Sequence, residues 1–254
     1  MIISHRKNYI FLHSRKTAGS SISVALAKNF GDDDVMLGCW PDAMKYGIYP
    51  NRACRSLAAK GARLGRLDPA LYLSGSLFPD RFNAAIKKYF RYTHGFDAGP
   101  HSSAAVVKAY ADSFWDDAFK FAFVRNPWDH AVSDYFWRGG HRKGVAFKEF
   151  LKLLRDVSAP DPQRVRPPLR SNWSVYAIDD EIVVDYVAKY ENLEADVARV
   201  SKQIGERINI SSVYAKGNVR VAKNTATYYD EECVELVRDI YRKEIDAFCY
   251  EVPF

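Results

Sequence analysis

The segment IFLHSRKTAGSSISVALAKNF, from Ile10 to Phe30, joins a short apolar run to a helical pattern through a polar turn. The turn carries one lysine, Lys16, and one glycine, Gly19. Its hydroxyl donors are Thr17, Ser20 and Ser21. A helix N-terminus exposes unpaired backbone N–H groups and carries partial positive charge. A lysine, hydroxyl donors and close backbone approach at a glycine therefore predict a site for a phosphate-like anion.

This turn differs from the P-loop of kinases and ATPases, whose pattern GxxxxGK[ST] places the lysine after a second glycine. Here Lys16 precedes the only glycine of the turn. A magnesium-dependent kinase or ATPase is therefore disfavoured, and no cluster of carboxylates suggests a metal site. The alternative is an ordinary strand-to-helix turn with an N-cap serine and an exposed lysine.

A second segment, FKFAFVRNPWDHAVSDYFW from Phe119 to Trp137, places Arg125 directly after an apolar strand. Ser133 follows eight residues later, on the predicted helix. In open α/β folds ligands bind at the carboxyl edge of the sheet, where such a strand ends. An arginine fork and a hydroxyl suit a terminal phosphate. The alternative role for Arg125 is a surface salt bridge with Asp129 or Asp134.

Both segments belong to a chain in which strands alternate with helices and few hairpin signals occur. The predicted strands span Tyr9–His13, Phe119–Val124 and Ile182–Val187. The predicted helices span Ser20–Phe30, Ser102–Phe114, Asp129–Trp137, Leu193–Ile204 and about Asp230–Phe248, the last with an apolar stripe at Val234, Val237, Tyr241, Ile245 and Phe248. This alternation predicts an α/β fold with a central, mainly parallel sheet flanked by helices, in one domain over residues 1–254.

The chain has 254 residues, of which 48% are hydrophobic and 27% charged, as expected of a globular protein. No apolar run approaches the roughly 20 residues that cross a bilayer, and the N-terminus lacks a secretory signal pattern. We therefore expect a soluble protein without stable membrane insertion. The net charge of +6 indicates anionic partners or simple solubility. The four cysteines lack metal-site spacing and are expected to be buried free thiols, which favours a reducing compartment.

Together, FLHSRKTAGSSI and FAFVRNPWDHAVSDYFW resemble the two cofactor motifs of sulfotransferases that use 3′-phosphoadenosine-5′-phosphosulfate (PAPS). The resemblance is closest to the carbohydrate sulfotransferases, a family of Golgi glycan enzymes and their bacterial relatives. VDYVAKYENLEAD and YYDEECVELVRDIYRKEIDAFCYE resemble two further family segments. The chain departs from the family pattern at Arg15, Ser20, His130 and Cys249, and none of these changes removes a needed group.

The resemblance implies a P-loop-like three-layer fold and in-line sulfuryl transfer from PAPS. It implies that the 5′-phosphosulfate is bound by Arg15, Lys16, Thr17, Ala18, Gly19, Ser20 and Ser21, with Lys16 also stabilising charge on the leaving oxygen. It implies that the 3′-phosphate is bound by Arg125 and Ser133, and Lys216 and Arg220 are further candidates for the nucleotide. Residues 35–90 match no family segment and are expected to form a variable insertion on the substrate side.

Transfer to a hydroxyl needs a general base, and histidine suits this role near neutral pH. His101 and His94 lie in RYTHGFDAGPHSS, in the part of the chain where glycan 2-O-sulfotransferases of the family have a proposed histidine base. His101 is the first candidate and His94 the second, with an acidic residue such as Asp97 or Glu191 as the alternative. His13, just before the turn, is expected to support packing or the loop.

The acceptor is expected to be a hydroxyl of a carbohydrate or glycolipid, without nucleic acid as a partner. An acidic or phosphorylated glycan is suggested by Arg52, Arg55, Arg63, Arg164, Arg166 and Arg170. Two alternatives stay open: a small-molecule or lipid sulfotransferase, and a non-catalytic protein that binds nucleotides or polyanions. The lack of a secretory signal or membrane anchor resembles the cytoplasmic bacterial members of the family, so a cytoplasmic location is expected. The oligomeric state is left open.

Overall fold

The computed structural model describes residues 1–65, 79–213 and 224–254. Residues 66–78 of the predicted insertion, and the nucleotide candidates Lys216 and Arg220, lie outside the described residues. Contacts divide the chain into two compact units: Met1–Phe123 with Ser174–Ala215, and Val124–Trp173 with Lys216–Phe254. A single domain over the whole chain stays a prediction.

Within the described residues, the first unit is built on a five-stranded mixed sheet with the strand order β3-β1-β2-β4-β7. Its strands are β1 (Ile2–Ser4), β2 (Tyr9–Leu12), β3 (Val35–Met36), β4 (Phe119–Val124) and β7 (Tyr186–Lys189), and a separate ladder pairs β5 (Ala177–Ile178) with β6 (Glu181–Ile182). Its helices are α1 (Gly19–Ala27), α2 (Trp40–Met44), α3 (Arg52–Leu64), α4 (Pro79–His94), α5 (Ala104–Ala111), α6 (Ser113–Asp117) and α10 (Leu193–Gln203), with a 3₁₀ turn at Tyr190–Asn192.

The prediction of a mainly parallel sheet is not confirmed, because the sheet is mixed. β2 and β4 run parallel, whereas β1 pairs antiparallel with both β2 and β3. The sequence prediction missed β1, whose chain turns back into β2 through residues 5–8. Asn8 takes a φ of 51° in this turn, a left-handed conformation that asparagine tolerates better than most residues.

β2 and β4 could be predicted from the sequence because both strands are buried. β2 is buried along its whole length, and β4 is buried from Lys120 onward. A continuous apolar run of this kind is typical of a strand covered on both faces. The one charged side chain, Lys120, donates to the carbonyl oxygens of Trp115 (3.1 Å) and Ala118 (2.7 Å) and pairs with Asp185 at 3.1 Å. Its charge is therefore matched inside the unit.

The second unit is helical in its described part. It contains α7 (Pro127–Trp137), α8 (Phe147–Arg155), α11 (Glu231–Ile240) and α12 (Arg242–Phe248), with 3₁₀ turns at Gly140–Lys143 and Ala226–Tyr228; α9 (Trp173–Tyr176) begins at its border. Buried side chains of α7, α8 and α11 form one apolar core, in which Trp128, Phe150 and Val237 take part. Among the described residues, no helix combines the length and the apolar character that a bilayer span requires.

The predicted C-terminal helix is two helices. The chain leaves helical geometry at Tyr241, with φ of −114° and ψ of 25°. Of the predicted stripe, Val237 and Tyr241 are buried in the core, and Val234 and Ile245 are partly buried against it. The stripe missed three buried residues, Cys233, Leu236 and Ile240. All four cysteines are free, as expected, but Cys249 is exposed and Cys39 is half-buried. The predicted helix 102–114 is likewise divided, into α5 and α6, and the predicted strand 182–187 into β6 and β7.

Candidate functional site

The lysine loop, which we define as Ser14–Ala18, joins β2 to α1 in the first unit. Lys16 has a φ of 62° and Ala18 a φ of 60°, both in the left-handed region. For residues other than glycine such backbone costs of order 1–3 kcal/mol and concentrates at ligand sites. Alternating conformations of this kind curl the chain so that successive N–H groups converge on one point. Thr17 stabilises the curl, since its hydroxyl donates to the carbonyl oxygen of Ser14 at 3.1 Å.

The start of α1 supplies further donors. The first backbone bond inside the helix runs from Ile22 N to Ala18 O at 3.1 Å, so the N–H groups of Gly19, Ser20 and Ser21 have no acceptor within the helix. Ala18 occupies the N-cap position, and no side chain caps the helix there. The alternative of a turn with an N-cap serine is therefore not what the chain adopts. An anion would satisfy these donors and complement the positive end of the helix.

The two cations of the loop are not solvent-facing side chains of an ordinary turn. Arg15 is only 6% exposed, so it does not point to solvent. Lys16 is half-buried. Ser14 is fully buried, and within the described residues its hydroxyl makes no hydrogen bond. A buried hydroxyl without a partner adds one more unsatisfied polar group to this loop.

His101 is brought to the end of the strand that leads into the lysine loop. Its Nδ1 lies 2.8 Å from the carbonyl oxygen of His13, and the two imidazole centroids are 4.5 Å apart with planes at 73°. A carbonyl oxygen only accepts, so Nδ1 of His101 carries the hydrogen. In neutral His101 the other nitrogen, Nε2, is then the basic one, which is the arrangement that a general base requires.

The other candidates for the base lie elsewhere in the first unit. His94 ends α4 and lies in an aromatic cluster, where its ring centroid is 5.7 Å from that of Phe96 and 5.4 Å from that of Tyr110. Asp97 forms a 2.6 Å ion pair with Arg91, and the hydrogen bond from Arg91 holds the pKa of Asp97 below its usual value. A carboxylate with a lowered pKa is a weaker base. These contacts favour His101 over both.

In the second unit, Arg125 follows β4 and contacts Asp129. Its Nε donates to Asp129 Oδ2 at 2.8 Å, and its Nη2 donates to the same oxygen. Asp129 Oδ1 accepts from the hydroxyl of Thr225 at 2.8 Å. The ion pair foreseen as an alternative thus exists, yet the Arg125 side chain is only 11% exposed. Ser133 is half-buried two turns further along α7.

Asn126 begins the helix that carries Ser133. Its Oδ1 accepts from Trp128 N at 3.1 Å, and Pro127 stands at the first helical position. Both features are typical helix starts and explain why α7 begins where Arg125 leaves the strand. The amide of Asn126 also donates to the carbonyl oxygen of Glu251 at 2.9 Å, which connects this turn to the C-terminal segment.

One arginine proposed for the acceptor serves the protein's own loop instead. Arg166 donates to the carbonyl oxygens of Leu153 (2.8 Å), Asp156 (3.1 Å), Val157 (2.9 Å) and Ala159 (2.5 Å). Its guanidinium therefore holds the proline-rich loop in place. The arginines that are exposed, and so accessible to an acidic acceptor, are Arg52, Arg55, Arg63, Arg164 and Arg170.

Sequence reasoning missed one participant, Cys39, which lies 3.8 Å from His13 Nδ1 and 3.9 Å from Ser20 Oγ. Its thiol stands 26 residues from His13 along the chain, and no spacing rule connects the two. For His13 the sequence predicts only a role in packing or in support of the loop. Its position directly before the loop was the one available signal.

The comparisons with known proteins agree with these features. A profile described as the sulfotransferase family matches residues 1–251, so the chain belongs to the sulfotransferase family. As a member it is a transferase, and its family reaction is sulfuryl transfer. The chain is also similar to an uncharacterized protein of Archaeoglobus fulgidus, with 34% identity over 93 residues that cover 36% of this chain and 71% of the relative. No solved structure gives a significant match.

Proposed function

We propose that this sulfotransferase moves the sulfuryl group of PAPS to a hydroxyl of a carbohydrate or glycolipid acceptor, with His101 as the general base. The observation that supports this most strongly is the contact between His101 and the strand end that leads into the lysine loop. One short region thereby combines an anion-binding turn with an imidazole whose Nε2 is basic. A simple polyanion-binding protein has no use for the second feature.

The donor chemistry fits the residues present. PAPS supplies the sulfuryl group together with a 3′-phosphate. The 5′ end would be bound by the two cations of the turn, Arg15 and Lys16, together with the hydroxyls of Ser20 and Ser21 and the first N–H groups of α1, because cations, hydroxyls and helix-start N–H groups all suit a phosphate-like anion. Thr17, whose hydroxyl donates to Ser14, and Ala18 shape the loop. In the second unit, Arg125 and Ser133 would bind the 3′-phosphate.

The reaction needs one proton acceptor and one group that stabilises the leaving oxygen. His101 Nε2 takes the proton of the acceptor hydroxyl while that oxygen forms its bond to sulfur. Lys16 stabilises the negative charge that develops on the phosphate oxygen as its bond to sulfur breaks. The products are the sulfate ester and 3′-phosphoadenosine-5′-phosphate (PAP), and the proton leaves His101 for solvent. Positioning and charge stabilisation carry the catalysis, as in phosphoryl transfer.

Calorimetric titration with PAP tests the nucleotide site. We expect saturable binding to the parent protein and to Lys28→Ala, an exposed lysine at the far end of α1. Lys16→Ala should abolish turnover while weakening PAP binding less severely, because its main contact is with the transition state. Absence of PAP binding would reject the proposal, and turnover that survives Lys16→Ala would reject the role of the lysine.

Transfer of radiolabelled sulfate to a panel of glycans, glycolipids and small phenols tests the acceptor. We expect labelling of glycans or glycolipids, and a loss of rate of about 10²–10⁴-fold in His101→Ala. His94→Ala is the matched control and should keep the parent rate. Labelling of phenols alone would replace the carbohydrate acceptor by a small molecule, and a loss of rate confined to His94→Ala would move the base.

A further inference from the structure

Two residues beside the lysine loop have no role in the proposed chemistry, although they touch the groups that do. His13 is buried, with 4% of its surface exposed, between Phe11, His101 and the start of α1. Its Nδ1 faces the thiol of Cys39 at 3.8 Å. A buried imidazole that contacts a candidate base and a thiol at once calls for an explanation beyond packing.

We propose that His13 is a positioning residue for sulfuryl transfer, and that the Cys39 thiol fixes its tautomer. His13 holds the base through its carbonyl oxygen and its ring, and it holds the start of α1 through its contact with Gly19. One residue thus sets the distance between the base and the anion-binding turn. This inference rests on the proposed function, since it concerns the same site.

The contact with Gly19 shows how closely the ring is held. A Cβ atom built on Gly19 would lie 2.0 Å from Cδ2 and 2.1 Å from Nε2 of His13. Only a glycine lets the backbone of α1 come this near to the imidazole. The imidazole edge of His13 therefore packs directly against the backbone of Gly19.

The segment that carries Cys39 is packed against the residue before His101. Gly38 has a φ of 75°, and a Cβ at this position would lie 2.7 Å from Pro100 Cβ. Cys39 itself takes a φ of 59°. Left-handed backbone costs a glycine little, but it is costly at Cys39, where it is retained because the surroundings determine it. The thiol is thereby placed at His13 by a segment that also packs beside the base.

The chemistry of the thiol decides the tautomer. A thiol is a weak donor and its sulfur a weak acceptor, whereas the free nitrogen of a neutral imidazole is a good acceptor. In the proposed arrangement the single S–H hydrogen of Cys39 is directed to His13 Nδ1, at 3.8 Å, rather than to Ser20 Oγ, at 3.9 Å, and the hydrogen of His13 lies on Nε2. His101 has the opposite arrangement, with its hydrogen on Nδ1. The proposed positioning of His101 by His13 therefore predicts that these two adjacent histidines have opposite tautomers.

Nitrogen-15 NMR of the side-chain imidazoles reads this signature directly, without PAPS or acceptor. His101→Gln and His13→Gln variants assign the two signals. We expect Nδ1–H for His101 and Nε2–H for His13 in the parent protein at neutral pH. In Cys39→Ala the His13 signal should shift toward a mixture of tautomers, whereas Cys39→Ser, which keeps a donor, should preserve it. Cys249→Ser alters an exposed thiol and should change neither signal.

Kinetics separate positioning from folding. We expect Cys39→Ala to lower kcat about three- to tenfold, the effect of one lost weak hydrogen bond, with PAP affinity within twofold of the parent. Unchanged tautomers and unchanged kcat in Cys39→Ala would overturn the inference. So would an equal loss of kcat and PAP affinity, which indicates damage to the loop itself. If the parent shows the paired tautomers but transfers sulfate to no acceptor, the proposed function fails instead.

Discussion

Gly19 is the position where we expect the addition of a single methyl group to change the stability of the protein most clearly. Its φ is not positive, so alanine can adopt its backbone, and helix propensity favours alanine by about 1 kcal/mol. Propensity alone therefore predicts that Gly19→Ala stabilises the protein. The packing predicts the opposite, because the new Cβ would lie 2.0 Å from His13 Cδ2, where carbon atoms normally stay about 3.5–4.0 Å apart.

The His13 ring cannot move away freely. It is buried, its centroid lies 5.7 Å from that of Phe11, and that of His101 lies 4.5 Å from it on another side. Overpacking of this kind costs typically about 1–3 kcal/mol. After the gain from propensity, the net destabilisation of Gly19→Ala should be at most about 2 kcal/mol. Since His101 is displaced with His13, kcat should fall as well.

Urea unfolding measures the stability, and Gly99→Ala is the matched control. Gly99 also lacks a positive φ, and a Cβ there would meet only Lys87 Cε, at an ordinary 3.8 Å. Adding His13→Ala to Gly19→Ala removes the ring that clashes, so the double variant should be at least about 1 kcal/mol more stable than the sum of the single effects. A double variant no more stable than the sum of the single effects would refute the close contact and, with it, the role of His13.

Burial raises the pKa of Glu244 to about 7 from 4.5, against hydrogen bonds that lower it. The folded state therefore binds the Glu244 proton more tightly than the unfolded state does, and the free energy of unfolding falls as pH rises from about 4.5 through 7. Glu244→Gln should be up to roughly 3 kcal/mol more stable than the parent at pH 8, but no more stable at pH 4. Thermal unfolding at the two pH values measures this difference, with the exposed Glu235→Gln as the control. Arg166→Ala should cost about 2–3 kcal/mol in urea unfolding, because four carbonyl oxygens lose their donor; a neutral effect would contradict its structural role. Arg125→Lys should weaken PAP binding about tenfold or more by calorimetry and leave binding of AMP, which lacks the 3′-phosphate, unchanged; equal losses for both nucleotides would argue against a 3′-phosphate contact.

The parts of the fold that could be predicted are those in which local rules and tertiary packing agree. β4 has the predicted bounds because an apolar run with a single lysine ends at the polar pair Arg125 and Asn126. α7 follows from Asn126 and Pro127, which form a helix start without help from the rest of the chain. The position of Arg125 between these two elements was predictable for the same reason, and its role as a phosphate ligand stays a prediction.

Other features depend on partners that are distant in sequence. β1 has only three residues, and its pairing with β2 and β3 decides that the sheet is mixed. The break at Tyr241 interrupts a helical pattern that the periodicity alone would continue. The contact of Cys39 with His13 depends on left-handed backbone at Cys39, which the conformational preference of cysteine does not predict. In each case a tertiary contact overrides the local preference.

The lysine loop breaks several local rules at once, and this is informative about what it does. Lys16 and Ala18 adopt left-handed backbone that glycine would adopt without strain, α1 begins without a side-chain cap, and Ser14 buries a hydroxyl. Each feature costs stability, and a loop selected only for stability would replace them with a glycine and a capping serine. Local rules are typically broken at functional sites, where other interactions offset the cost. Because all of these features expose donors or curl the backbone around one point, the interaction that offsets them is best explained as the binding of an anion.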